Sequence, residues 1–127
     1  MSAAKLRRRV LVVEDEPLVL DYIATVLRQS GYEVVSATNG RQACDLFHRY
    51  AHELALILVE ILVPRMSGPE FIASLPTLDP RIPVVFVTCM GSEEVEEKLD
   101  AYYPILFKPF TPSDLKVAMQ RLALPVY

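Results

Sequence analysis

Residues 54–68 read Leu-Ala-Leu-Ile-Leu-Val-Glu-Ile-Leu-Val-Pro-Arg-Met-Ser-Gly. The apolar run from Leu54 to Val59 has no polar alternation and stops at a carboxylate, Glu60. A run of that length and kind fits a strand covered on both faces, as in the interior of a parallel sheet. Ile61 to Val63 then leads into Pro64 and Gly68, which cannot continue a regular element. A carboxylate is costly to bury without a partner, so Glu60 is expected at the edge of the sheet, solvated or paired. In an open parallel sheet, ligands bind at the edge formed by the strands' C-terminal ends.

The same logic orders the rest of the chain. Val10 to Val13 is a short apolar run ending in Glu14-Asp15-Glu16, and Pro17 suits a first helical turn. Leu18, Val19, Tyr22, Ile23, Val26 and Leu27 recur at helical spacing until Ser30-Gly31. Glu33 to Ala37 reads as a strand, Thr38-Asn39-Gly40 as a turn, and Ala43, Leu46, Phe47 and Tyr50 as one side of a helix. Gly68-Pro69 opens a short helix stopped by Pro76 and Pro80. Val84 to Val87 is a buried strand ending at Thr88. Ser92 caps a helix that buries Val95 and Leu99, and Ile105 to Phe107 is a strand ending at Lys108-Pro109. Thr111-Pro112-Ser113-Asp114 opens a final helix carrying Leu115, Ala118, Met119 and Leu122. Strictly alternating strands and helices imply βαβ crossovers and a parallel sheet with helices on both faces. One domain over residues 1–127, with its core at about 8–123, accounts for the chain.

Composition narrows the function classes. Hydrophobic residues are 52% and charged residues 23%, an ordinary globular balance. A net charge of −3 offers no general attraction to nucleic acid. The basic group Lys5, Arg7, Arg8 and Arg9 reads as a solvated flank. No stretch approaches the roughly 18 apolar residues of a membrane span. Cys44 and Cys89 are far apart and in no motif, which points to reduced thiols and a cytoplasmic protein. His48 and His52 are spaced for one helix face, but they lack a third ligand. They are read as imidazoles favoured near a helix C-terminus. Glu93, Glu94, Glu96 and Glu97 read as a solvated face, and Met66 and Met90 as gap-filling apolar contacts.

Polar groups follow the tips of four strands: Glu14 and Asp15, then Glu60, Thr88 and Lys108. If those strands are neighbours, the groups meet at one sheet edge. Three carboxylates supply the hard oxygens that Mg²⁺ prefers. A hydroxyl and an ammonium opposite them suit phosphoryl oxygens. The set has the chemistry of metal-assisted phosphoryl transfer to or from a carboxylate.

From about Val10 to Leu122 the chain resembles a response-regulator receiver domain of two-component, or phosphorelay, signalling. Val-Val-Glu14-Asp15-Glu16-Pro, the loop Pro64-Arg-Met-Ser-Gly68, Val-Thr88 and Lys108-Pro109-Phe110 carry the likeness, in order and with matching spacing. The resemblance implies a flavodoxin-like (βα)5 three-layer sandwich, its five parallel strands ordered 2-1-3-4-5. It implies Mg²⁺ held by Glu14 and Asp15 with Glu60, phosphoryl oxygens bound by Thr88 and Lys108, and a cis Lys108-Pro109 bond. It also implies a binding module rather than an enzyme. Expected partners are a histidine kinase, a phosphotransfer protein or a downstream effector, docked through residues 92–123, a face that also suits a homodimer.

Two departures bear on function. The position four before the loop proline, where the family carries its phosphoaccepting aspartate, is Glu60. The extra methylene misplaces the carboxylate as an in-line nucleophile. It leaves a fixed negative charge near Thr88 and Lys108, a partial phosphomimetic with about one charge against nearly two. The position of the switching aromatic, three before the lysine, is Ile105, with Tyr102 and Tyr103 nearby but out of register. The expectation is therefore an atypical, phosphorylation-independent receiver. The alternatives are a conventional relay accepting phosphate at Glu60 or elsewhere, and a flavodoxin-like enzyme or cofactor binder. Against the last stand the lack of a Gly-rich loop after the first strand and of a base–nucleophile pair.

Overall fold

The computed structural model describes residues 7–75, 79, 81–89, 103–122 and 124. The expected helix over 92–99, with its glutamates, Met90, Tyr102, Lys5, Pro76 and Pro80, lies outside the described residues. So do much of the proposed docking segment and most of the short C-terminal tail. Five strands are described: β1 (Arg9–Val13), β2 (Glu33–Ala37), β3 (Leu54–Glu60), β4 (Val84–Cys89) and β5 (Ile105–Lys108). They form one sheet in the order β2-β1-β3-β4-β5, and every pairing is parallel. The flavodoxin-like order implied by the resemblance is the order observed.

The central strand is β3. All seven of its residues are buried, as its unbroken apolar run predicts. Alternate residues of the inner strands feed two separate cores. Leu11, Val13, Ile57, Val59 and Phe86 face α2 (Gly40–Tyr50) and α3 (Gly68–Ser74), where they meet Ala43, Phe47, Phe71 and Ile72. Val10, Val12, Leu56, Leu58, Val85 and Val87 face α1 (Pro17–Gln29) and α4 (Pro112–Arg121), meeting Ile23, Val26, Leu27, Leu115 and Met119. Helices thus cover both faces, giving the three layers expected.

Local signals set the helix ends. Asn39 accepts a hydrogen bond from the Gln42 amide, Ser67 from the Glu70 amide, and Thr111 forms a reciprocal capping box with Asp114. Gly31 closes α1 at φ 90°, a conformation that favours glycine. Two expectations need correction. Leu18 and Tyr22 belong to the apolar spacing of α1, yet Leu18 is 84% exposed and Tyr22 38% exposed, because the side packed on the core runs through Val19, Leu20, Ile23, Val26 and Leu27. His52 is not on the helix of His48: α2 ends at Tyr50, and Ala51–Glu53 is a 3₁₀ turn that rotates His52 off that face. His48 Nδ1 instead lies 2.7 Å from the Cys44 carbonyl oxygen. No described helix is long and apolar enough to cross a membrane.

Candidate functional site

Because β1, β3, β4 and β5 are adjacent and parallel, their C-terminal ends open on one edge. Glu14 follows β1 directly, and its amide donates to the Ala37 carbonyl of β2 at 2.9 Å. Glu60 is the last residue of β3, in register with Val87. Thr88 comes one residue later on β4 and is buried. Lys108 ends β5, in register with Cys89. The Lys108-Pro109 peptide bond is cis, as the resemblance implied.

Lys108 is the centre of this edge. Its ammonium Nζ donates to Glu60 Oε1 at 2.8 Å and lies 2.6 Å from Glu14 Oε1. A third carboxylate, Glu16, stands 3.9 Å away. The side chains of Lys108, Glu14 and Glu60 are only 10%, 1% and 8% exposed. Their second oxygens are held by backbone: the Glu16 amide donates to Glu14 Oε2 at 3.2 Å and the Leu62 amide to Glu60 Oε2 at 3.3 Å. Glu14 Oε1 has no hydrogen bond of good direction, so the ionic contact with Lys108 is what compensates its burial.

Burial pushes the Glu14 carboxyl above its ordinary range, and the Lys108 ammonium beside it offsets this only in part. At Lys108, burial works against the charged form, but the close contacts and charges of Glu14 and Glu60 outweigh it. The ammonium is held well above the usual lysine value. The ammonium thus stands between two carboxylates.

The loop after β3 fixes Glu60 from the other side. Arg65 takes a left-handed conformation at φ 70°, and the Gly68 amide donates to the Ile61 carbonyl at 2.9 Å. A Cβ at Gly68 would lie 2.4 Å from the Glu60 carbonyl oxygen, a contact that only glycine avoids. Sequence reasoning saw Gly68 as a loop signal but missed this packing role. It also passed over Glu16, whose only signal was its place in the acidic triplet.

Two predicted members stand apart. Asp15 is exposed and takes no part in the Lys108 ion pairs among the described residues. Ile105 pairs with Phe86 and packs against the core on the α2 and α3 side, away from Lys108. Tyr103 also packs beside that core, edge-on to Phe86 with ring centroids 5.2 Å apart.

The arrangement does not fit the Mg²⁺ that the family implies. No group of three metal-ligating side chains is gathered among the described residues. The space between Glu14 and Glu60 is taken by the Lys108 ammonium. An octahedral ion with contacts at about 2.1 Å would have to displace it.

The family described as response regulator receiver domain matches residues 10–120. The chemotaxis protein CheY of Thermotoga maritima is 26% identical, the match covering 91% of this chain and 98% of that protein. The transcriptional regulatory protein PdtaR of Mycobacterium tuberculosis is 36% identical, over 92% of this chain and 57% of its own length. For the phosphate regulon transcriptional regulatory protein PhoB of Escherichia coli the figures are 34%, 91% and 53%. The chain thus spans nearly all of the first relative and about half of the other two. Among solved structures, the chemotaxis response regulator CheY4 of Vibrio cholerae superposes with a TM-score of 0.80 at 27% identity, covering 91% of this chain and 98% of that one. Sequence match, strand order and the gathering of Glu14, Glu60 and Lys108 at one sheet edge agree: the chain belongs to the response regulator receiver domain family of two-component signalling.

Proposed function

We propose that this receiver signals without phosphorylation of an aspartate, Glu60 standing as a fixed charge where the family carries its phosphoacceptor. The observation that supports this is the 2.8 Å contact between Lys108 Nζ and Glu60 Oε1. The longer side chain places its carboxylate on the ammonium that would otherwise meet a phosphoryl oxygen. Glu60 then acts as a partial phosphomimetic or as an inert member of the site. The output is protein–protein contact rather than turnover, with a kinase, a phosphotransfer protein or a downstream effector as partner. The unpaired cysteines Cys44 and Cys89 suit a reducing, cytoplasmic setting.

The test is intact mass after incubation with Mg²⁺ and a small-molecule phosphodonor, for the chain as it stands and for Glu60→Asp. Gain of one phosphoryl group by the Asp variant alone supports the proposal. Gain by the chain as it stands overturns it and restores the ordinary relay role. If neither reacts, Glu60 is not what disables the pocket, and the chain is better described as a scaffold.

A further inference from the structure

Two buried carboxylates that face one another at a sheet edge need a cation. In a metal-dependent site that cation comes from solution. Here the described residues already contain it. Lys108 Nζ lies 2.6 Å from Glu14 and 2.8 Å from Glu60, within an edge where its side chain is 10% exposed. The outer oxygen of each carboxylate is committed to a backbone amide, of Glu16 and Leu62 respectively. Neither carboxylate is therefore free to turn toward a second cation without losing a hydrogen bond. The third expected ligand, Asp15, is exposed and outside the cluster.

We propose that Lys108 is a tethered cation occupying the place of a divalent metal ion, so that this chain holds its acidic site together without Mg²⁺. A tethered ammonium competes at high effective concentration and is already desolvated on folding, whereas Mg²⁺ gives up its water reluctantly. Replacing it would also leave an ammonium to be resolvated from a nearly closed edge. The contrast is one of geometry and not of charge alone. The two glutamates converge on a single point at hydrogen-bond distance, which suits N–H donors. Among the described residues no three metal-ligating side chains are gathered, so an ion arriving there in place of the ammonium would have two carboxylates and would draw its other ligands from water. This inference does not depend on whether Glu60 can be phosphorylated.

The experiment is thermal unfolding of the chain and of Lys108→Ala, with and without about 10 mM MgCl2, at ionic strength matched with NaCl. The chain as it stands is expected to show the same Tm in both solutions. Lys108→Ala, with its carboxylates unpaired, is expected to melt lower and to regain about 5 °C in MgCl2. Should Lys108→Ala fail to fold, Lys108→Gln keeps a donor without the charge and is compared in the same way. A Tm rise in MgCl2 for the unaltered chain equal to that of the variant would overturn the proposal. So would an absent rise in both variants, since the site would then hold no metal even when vacated by the ammonium. The phosphodonor experiment reads mass rather than Tm, so either proposal can fail alone.

Discussion

Lys108 Nζ and Glu60 Oε1 are 2.8 Å apart, at the ends of β5 and β3, strands separated in the sheet by β4. The pair therefore spans the sheet edge and couples three strands.

Removing the ammonium leaves Glu14 and Glu60 nearly buried and facing one another. Lys108→Ala is expected to cost about 3 kcal/mol, most of it from the uncompensated carboxylates. Adding Glu60→Gln to that background is expected to recover about 1 kcal/mol, because one buried charge is then gone. Urea unfolding of the two single variants and the double variant measures the coupling. Additive costs would show that the contact carries no energy.

Glu14 should behave differently. Burial raises its pKa on balance, so the fold binds its proton more tightly than the unfolded chain does. Its charge is then a net cost, absent below the ordinary value of 4.5 and growing as pH rises through it. Glu14→Gln is accordingly expected to change stability by less than about 1 kcal/mol at neutral pH, since Glu60 still pairs Lys108. A loss as large as that of Lys108→Ala would contradict this.

The lysine sets an alkaline limit. Burial disfavours its charge, but Glu14 and Glu60 reverse the balance, so the folded pKa lies above the unfolded one. The stabilisation is complete below the ordinary value of 10.5 and is lost as pH rises beyond it. Urea midpoints should fall above that pH, and less so for Lys108→Met. Parallel profiles for the two proteins would show that other groups are responsible.

Gly68 is a steric requirement of the site. Gly68→Ala places a methyl group 2.4 Å from the Glu60 carbonyl oxygen and 3.1 Å from Val59 Cγ2. Relieving that overlap is expected to cost about 2 kcal/mol. Because the moved backbone carries Glu60, protection of the Leu62 amide in hydrogen exchange should fall as well. A variant of unchanged stability and exchange would mean that the loop yields freely.

Thr111→Ala should cost about 1 kcal/mol, through loss of the capping box that starts α4. Its effect belongs to the helix and should add to that of Lys108→Ala rather than couple to it. Urea unfolding of the double variant checks this.

Much of this was legible in the chain. The unbroken run of β3 announced a strand buried on both faces, and the alternation of strand and helix announced a parallel sheet. The turn and cap residues marked helix ends because they act within a few positions of themselves. Glu14, Glu60, Thr88 and Lys108 could be placed at strand tips for the same local reason. What was misjudged is equally local in kind. Spacing alone cannot tell that Leu18 lies off the packed side of α1, or that α2 ends two residues before His52.

The sequence by itself determined which polar residues end the strands, because hydrophobic periodicity decides where each strand stops. Only the tertiary structure decided how those residues meet. Three carboxylates and an ammonium in a list are compatible with a metal site or with an ion pair. Which one forms depends on side-chain reach across neighbouring strands and on which oxygens the backbone has already taken. Here the reach of Lys108 and Glu60 brings them to 2.8 Å, the amides of Glu16 and Leu62 hold the outer oxygens, and Asp15 is left in solvent. A separation of nearly fifty residues along the chain becomes one hydrogen bond because β3, β4 and β5 lie side by side, and no local rule contains that distance.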